Sequence, residues 1–288
     1  MILKNVYRIS FLLCLLCVVS CKSVSNGKNA LDSTSDESLV DSGMIKKGVL
    51  QKLDYAIINL KSSDDFIKNL SKQANLYDEQ ELNSVKKITE YESSKAKALN
   101  VGAYGADLNY IIHFNQIPVS FKYLLCAKQL SDQIGVAMAF DKDAVNKFNG
   151  NVDQKDTLIN IVSSAYDVIK KYLRNGDQFL VASLVMSGSW VENMHLTLNA
   201  IEKCTKEDDK KLIYSGFANQ KVYVTNLVDL LTVLNEPKDS LVIQLVNGLN
   251  QINTELTKVV ADSTAKSPKI IELKNSVSEL RTFVVGVK

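Results

Sequence analysis

From about residue 46 to the end of the chain, apolar residues recur at steps of three and four, and sustained alternation with period two is absent. That spacing puts the apolar groups of each segment on one face of an α-helix and leaves no half-buried strands to form a sheet. Leu241, Leu245, Leu249, Ile252, Leu256 and Val259 are the clearest stripe, and Leu158, Ile161, Val162, Ala165, Val168, Ile169, Tyr172 and Leu173 form another. Only three prolines interrupt 288 residues. The expected fold is therefore all-α: a bundle of about nine to eleven helices over residues 46–288, built as one large domain or two packed helical halves.

Local signals divide this region. The spacing predicts helices at about 46–60, 63–73, 78–99, 101–116 and 118–134, with a short one near 141–149. Lys170 and Lys171 suit the negative end of a helix that Gly176 would stop, and Asp177 would cap the next helix, running to about Lys203. The first half of that helix, Phe179 to Met186, is apolar almost all round, the mark of a helix surrounded by others. Further helices follow over Val222 to Leu234, along the Leu241 stripe, and after Ser267-Pro268, whose proline suits a first helical position.

The first 45 residues read differently. Lys4 and Arg8 precede an apolar run from Ile9 through Val19, too short to span a bilayer and laid out like a secretory signal over residues 1–20. Val18-Val19-Ser20-Cys21 resembles the lipobox of bacterial lipoproteins, in which the cysteine thiol is acylated and becomes the first mature residue; the resemblance makes Cys21 the lipidation site. Residues 22–43 contain six serines, two glycines and few large apolar groups. Such a stretch buries too little surface to offset its ordering entropy, and as a tether it would reach roughly 25 Å. Lys22 behind the cysteine is compatible, on the same resemblance, with an outer-membrane lipoprotein facing the periplasm or the cell surface.

Charge and cysteine usage narrow the function classes. Removing Lys4 and Arg8 from 34 basic residues leaves 32 against 32 acids, with only Arg174 and Arg281 as arginines. A neutral, arginine-poor chain is not expected to bind nucleic acid. Beyond Cys21 only Cys126 and Cys204 remain; Cys126 sits in an apolar context as a small buried hydrophobe, and a bridge between the two stays open.

Two stretches place polar groups inside apolar helices. One runs from Gly102-Ala103-Tyr104-Gly105-Ala106-Asp107 through Leu108, Asn109 and Tyr110 to His113, and the other is Ser187-Gly188-Ser189-Trp190-Val191-Glu192-Asn193-Met194-His195. Glycine inside a helix costs about 1 kcal/mol relative to alanine, so Gly102, Gly105 and Gly188 indicate close approach of a neighbouring helix or a ligand. Tyr104, Asp107, Tyr110, His113, Trp190, Glu192 and His195 are the ligand-binding candidates. The expectation is that both stretches meet in one interior cluster, with two independent structural clusters as the rival.

These stretches, with the intervening FKYLLCAKQLSDQIG, resemble a family of all-helical lipoproteins of Bacteroidota with no established activity, over roughly residues 80–205. Ser189 stands where a second glycine of that pattern is expected. The resemblance implies an exported helical lipoprotein and carries over no catalytic residue.

Chemistry finds little purchase. Glu192 and His195 have the Glu-x-x-His spacing of di-metal bundles, but a second such pair is missing; only His113 and His195 occur, and Tyr110 precedes His113 by three. A mononuclear site from His113, His195 and Glu192 is the remaining metal arrangement, and no metal or cofactor is expected. No G-x-S-x-G elbow, phosphate-binding loop, dinucleotide glycine fingerprint or H-E-x-x-H sequence occurs, and Ser187 or Ser189 is not spaced as a ready partner of His195. The expected role is a membrane-anchored, non-enzymatic module that binds an envelope protein or small ligand. The alternative is a metal- or small-ligand-binding protein or enzyme using Asp107, Glu192, His113 and His195.

Overall fold

The computed structural model describes residues 48, 51–52, 54–55, 66–136, 142–150, 155–174, 178–235, 237–262 and 269–288. The signal segment, Cys21, the tether, Gly176, Asp177, Ser267 and Pro268 lie outside the described residues. The fold is all-helical, with no strand among the described residues. Residues Gly43–Lys288 pack as one compact unit.

Its helices are α1 (Ser94–His113), α2 (Ile117–Gln133), α3 (Lys142–Gly150), α4 (Lys155–Arg174), α5 (Phe179–Lys203), α6 (Glu207–Leu234), α7 (Ser240–Asp262) and α8 (Lys269–Val284). Helices α1 and α5 form the central pair, buried almost end to end. Around them, α2 packs on α1, α8 on α5, and α6, α7 and α8 follow one another side by side. The Leu241 stripe is observed as read: Leu245, Leu249, Ile252 and Leu256 are completely buried.

Two glycines set the central crossing. A Cβ on Gly102 would lie 2.0 Å from the Val185 carbonyl oxygen, and one on Gly188 would lie 1.8 Å from that of Leu99. Each helix thus presents its bare backbone to the other, which accounts for both residues without a ligand. Between α1 and α2, Asn115 adopts φ 60°, the left-handed conformation that asparagine tolerates, while the Gln116 amide reaches back to the Ile111 carbonyl at 2.9 Å. Pro118 then opens α2.

Three expectations change. Residues 78–93 are not the first half of a helix: Ala74–Leu76, Glu79–Glu81 and Val85–Thr89 are separate 3-10 turns, and together 74–89 form a strap. Leu82, Val85, Ile88 and Tyr91 repeat every three residues, the period of a 3-10 helix and not 3.6. Asp78, Ser84 and Ser93 each turn a side-chain oxygen onto a nearby backbone N–H, ending one turn and starting the next. The divide expected at residue 100 is also absent: Ser94–His113 is one continuous α1, inside which the Asn100 side chain donates to the Ala96 carbonyl at 3.0 Å. Helix α6 begins at Glu207, fifteen residues before the expected Val222.

Candidate functional site

The polar residues of α1 and α5 converge where these helices meet α8 and the strap. Glu192 is completely buried and faces Arg281 of α8: Arg281 Nε donates to Oε2 at 3.1 Å and Nη2 to Oε1 at 2.9 Å. This two-pronged pairing matches the planar guanidinium to the carboxylate. Arg281 Nη2 also donates to the Glu81 carbonyl of the strap at 2.9 Å.

Asp107, also completely buried, lies beside Glu192. One oxygen, Oδ2, accepts the Asn83 backbone N–H at 3.1 Å, while Oδ1 receives no donor and the Glu192 carboxylate is within hydrogen-bonding reach. Burial, and secondarily the negative charge of Glu192, push the Asp107 carboxyl well above its usual range. Two adjacent buried carboxyls cannot both stay ionised. Glu192 has the guanidinium fork, and Asp107 is the carboxyl whose ionisation burial opposes, with the more distant charge of Arg281 acting in the other direction.

The tyrosines of α1 hold the strap by its main chain. Tyr104 donates to the Ser84 carbonyl at 2.8 Å; Tyr110 donates to that of Leu76 at 3.1 Å and accepts the Asp78 N–H at 3.0 Å. The Asn83 side chain reaches Tyr91 and Asn100, and Asn100 donates to the Val284 carbonyl at 2.9 Å. Lys87 donates to the Val285 carbonyl at 3.1 Å, so α1 and the strap region together satisfy carbonyls at the end of α8 that lack helical partners.

His195 Nε2 lies 3.0 Å from Glu81 Oε2, which also accepts from Asn199 at 2.9 Å. Burial holds the imidazole below its ordinary pKa despite nearby Glu192 and Glu81, so neutral His195 carries its proton on Nε2 and donates it to Glu81. Thus Tyr104, Asp107, Tyr110, Glu192 and His195 share one junction, and its other members are Asn83, Glu81 and Arg281. Arg281 had a readable signal: it is one of two arginines in the body, and it follows Val277 by one helical turn on the inner side of α8.

Two candidates stand elsewhere. Trp190 points toward α6, donating Nε1–H to Gln220 at 2.8 Å and stacking on Tyr223 with ring centroids 6.1 Å apart. His113 ends α1, where its carbonyl accepts from Lys155 and its ring feels Lys155 and Lys68. His113, His195 and Glu192 are therefore not brought together, and among the described residues no group of three or more His, Cys, Asp or Glu side chains could hold a metal ion. Cys126 and Cys204 are separate buried thiols, not a bridge, and burial pushes the Cys126 thiol up to about 11, leaving it inert.

Burial, followed by the charges of Lys155 and Lys68, lowers the His113 pKa to about 4 from an unfolded value of 6.5. The folded chain thus binds this proton later than the unfolded chain. The corresponding stability is complete above pH 6.5 and is lost as pH falls toward 4. His113→Gln should remove on the order of 2 to 3 kcal/mol of acid destabilisation across that window. Urea midpoints of both proteins at pH 4.5 and 7.5 check this; equal pH responses would refute it.

No family model, curated protein or solved structure matches the chain.

Proposed function

We propose that the chain is a lipid-anchored envelope protein whose helical body is a non-enzymatic binding or interaction module. The observation that carries the reading is Val18-Val19-Ser20-Cys21 at the end of an apolar run, with a serine-rich stretch directly behind it. No helix among the described residues is long and apolar enough to cross a membrane, and acyl chains on Cys21 would supply attachment. The anchor belongs to an outer-membrane lipoprotein of the Bacteroidota type, on its periplasmic or outer face. Against catalysis stands the use of the buried polar groups: Tyr104, Asp107, Tyr110 and Arg281 bond the protein's own strap, and Trp190 bonds Gln220.

In cells fed labelled palmitate, the wild-type chain should take up label and partition with membranes, and Cys21→Ser should do neither. Label retained by Cys21→Ser would defeat the anchor. For the body, native mass spectrometry and metal analysis of the purified chain should give the bare polypeptide mass plus its acyl groups. A stoichiometric additional mass or metal would instead favour the small-ligand or metal-binding alternative at Asp107, Glu192 and His195.

A further inference from the structure

The strap is tied down mainly by its backbone, and its central tie is the Asn83 N–H on Asp107 Oδ2. Leu76, Asp78, Glu81 and Ser84 are bonded on either side by Tyr110, Arg281 and Tyr104. Directly beneath lies the one buried carboxyl oxygen of the junction without a donor, Asp107 Oδ1, facing a carboxylate already committed to a guanidinium fork. Such an oxygen is satisfied if it carries a proton and donates it. We propose that Asp107 and Glu192 form a proton-sharing carboxyl pair that latches the strap: the proton on Asp107 Oδ1 is donated to the Glu192 carboxylate, and its transfer to a solvent base frees residues 76–84 from the α1–α5–α8 junction.

The surroundings leave Asp107 as the group that responds as pH rises. Facing Asp107 are Tyr104 of α1, Tyr123 and Cys126 of α2, Glu192 of α5, Arg281 of α8 and Tyr77 of the strap; on the Glu192 side are His195 of α5 and Tyr91 just beyond the strap, and Tyr110 of α1 and Glu81 of the strap complete the junction. Burial raises the tyrosines and the thiol, the guanidinium stays charged, and His195 is neutral above its lowered pKa. Loss of the Asp107 proton therefore adds a second negative charge to a buried pair holding one cation. With the strap lifted, Asp107 meets water and ionises in its ordinary range. Because the closed pair holds the proton to higher pH than the open one, opening becomes more favourable as pH climbs between the two values, by up to tenfold per pH unit.

Asp107→Asn supplies the reference, since its side-chain carbonyl can accept the Asn83 N–H while its NH2 donates to Glu192, with no proton to lose. The full-length chain, labelled with carboxyl-13C aspartate, should show a protonated-carboxyl infrared band that survives to higher pH than those of the other aspartates. That band should disappear in Asp107→Asn and persist in Asp229→Asn. Hydrogen exchange at Glu81, Leu82 and Asn83, corrected for intrinsic rates, should report opening that grows toward tenfold per pH unit faster in wild type than in Asp107→Asn. Amides of Leu249 and Ile252 in α7 should show no such difference. The latch is overturned if the wild-type band is missing, if both proteins open with the same pH dependence, or if the α7 amides follow the strap, which would make the event global unfolding. The infrared measurement decides on wild type alone should the variant fold poorly, and neither readout involves Cys21.

Discussion

Gly188→Ala should be the most damaging single-methyl change in the body, lowering stability by at least about 4 kcal/mol in urea titrations. The added Cβ would sit 1.8 Å from the Leu99 carbonyl oxygen and 2.7 Å from its carbon, atoms of a helix backbone that cannot rotate away. Relief requires α1 and α5 to separate by more than about 1 Å. Every buried side chain between them then loses contact, and close-packed interiors do not absorb such a gap. The same substitution elsewhere grades the argument. At Gly248 the new methyl would lie 2.6 Å from the end of the Leu280 side chain, which can turn aside, so the loss should be smaller. At Gly150 nothing lies within 4 Å, and alanine should be neutral or slightly stabilising. Equal effects at Gly188 and Gly150 would show that the central helices are not in backbone contact.

The same pair of glycines shows what the amino-acid order discloses. Their presence inside apolar helices signals close approach, and the crossing of α1 and α5 is that approach. Helices with a one-sided apolar stripe, such as α7, are legible because a single period places each residue. The strap was not, because a three-residue repeat of Leu82, Val85, Ile88 and Tyr91 satisfies a helical reading until the side-chain bonds of Asp78, Ser84 and Ser93 are known. Within the junction, Asp107 and Glu192 were recognisable as acids in apolar company. Their partners were harder to assign: the Asp107 acceptor oxygen is used by a backbone N–H, which no residue type announces, and the cation of Glu192 comes from 89 positions away. Trp190 and His113 lie close to them in sequence, but helical rotation turns Trp190 toward α6, and nearly two turns of α1 separate His113 from Asp107.

Arg281→Met should lower stability by about 3 to 5 kcal/mol at pH 7.5, the usual loss when one member of a buried ion pair is removed and the other stays charged. Methionine fills similar volume, so the effect isolates the guanidinium from its packing. Without it the completely buried Glu192 loses both guanidinium bonds, and the Glu81 carbonyl loses its Arg281 donor. Arg281→Lys should recover only part of the loss, because an ammonium cannot reproduce a fork to both carboxylate oxygens and a third bond to the strap. Adding Glu192→Gln should restore stability relative to Arg281→Met, giving a coupling energy of about 2 kcal/mol or more in a double-mutant cycle. Denaturant midpoints for the four proteins of that cycle decide the matter. A loss below about 1 kcal/mol in Arg281→Met, or strictly additive effects, would mean that the fork between Arg281 and Glu192 does not hold the junction together.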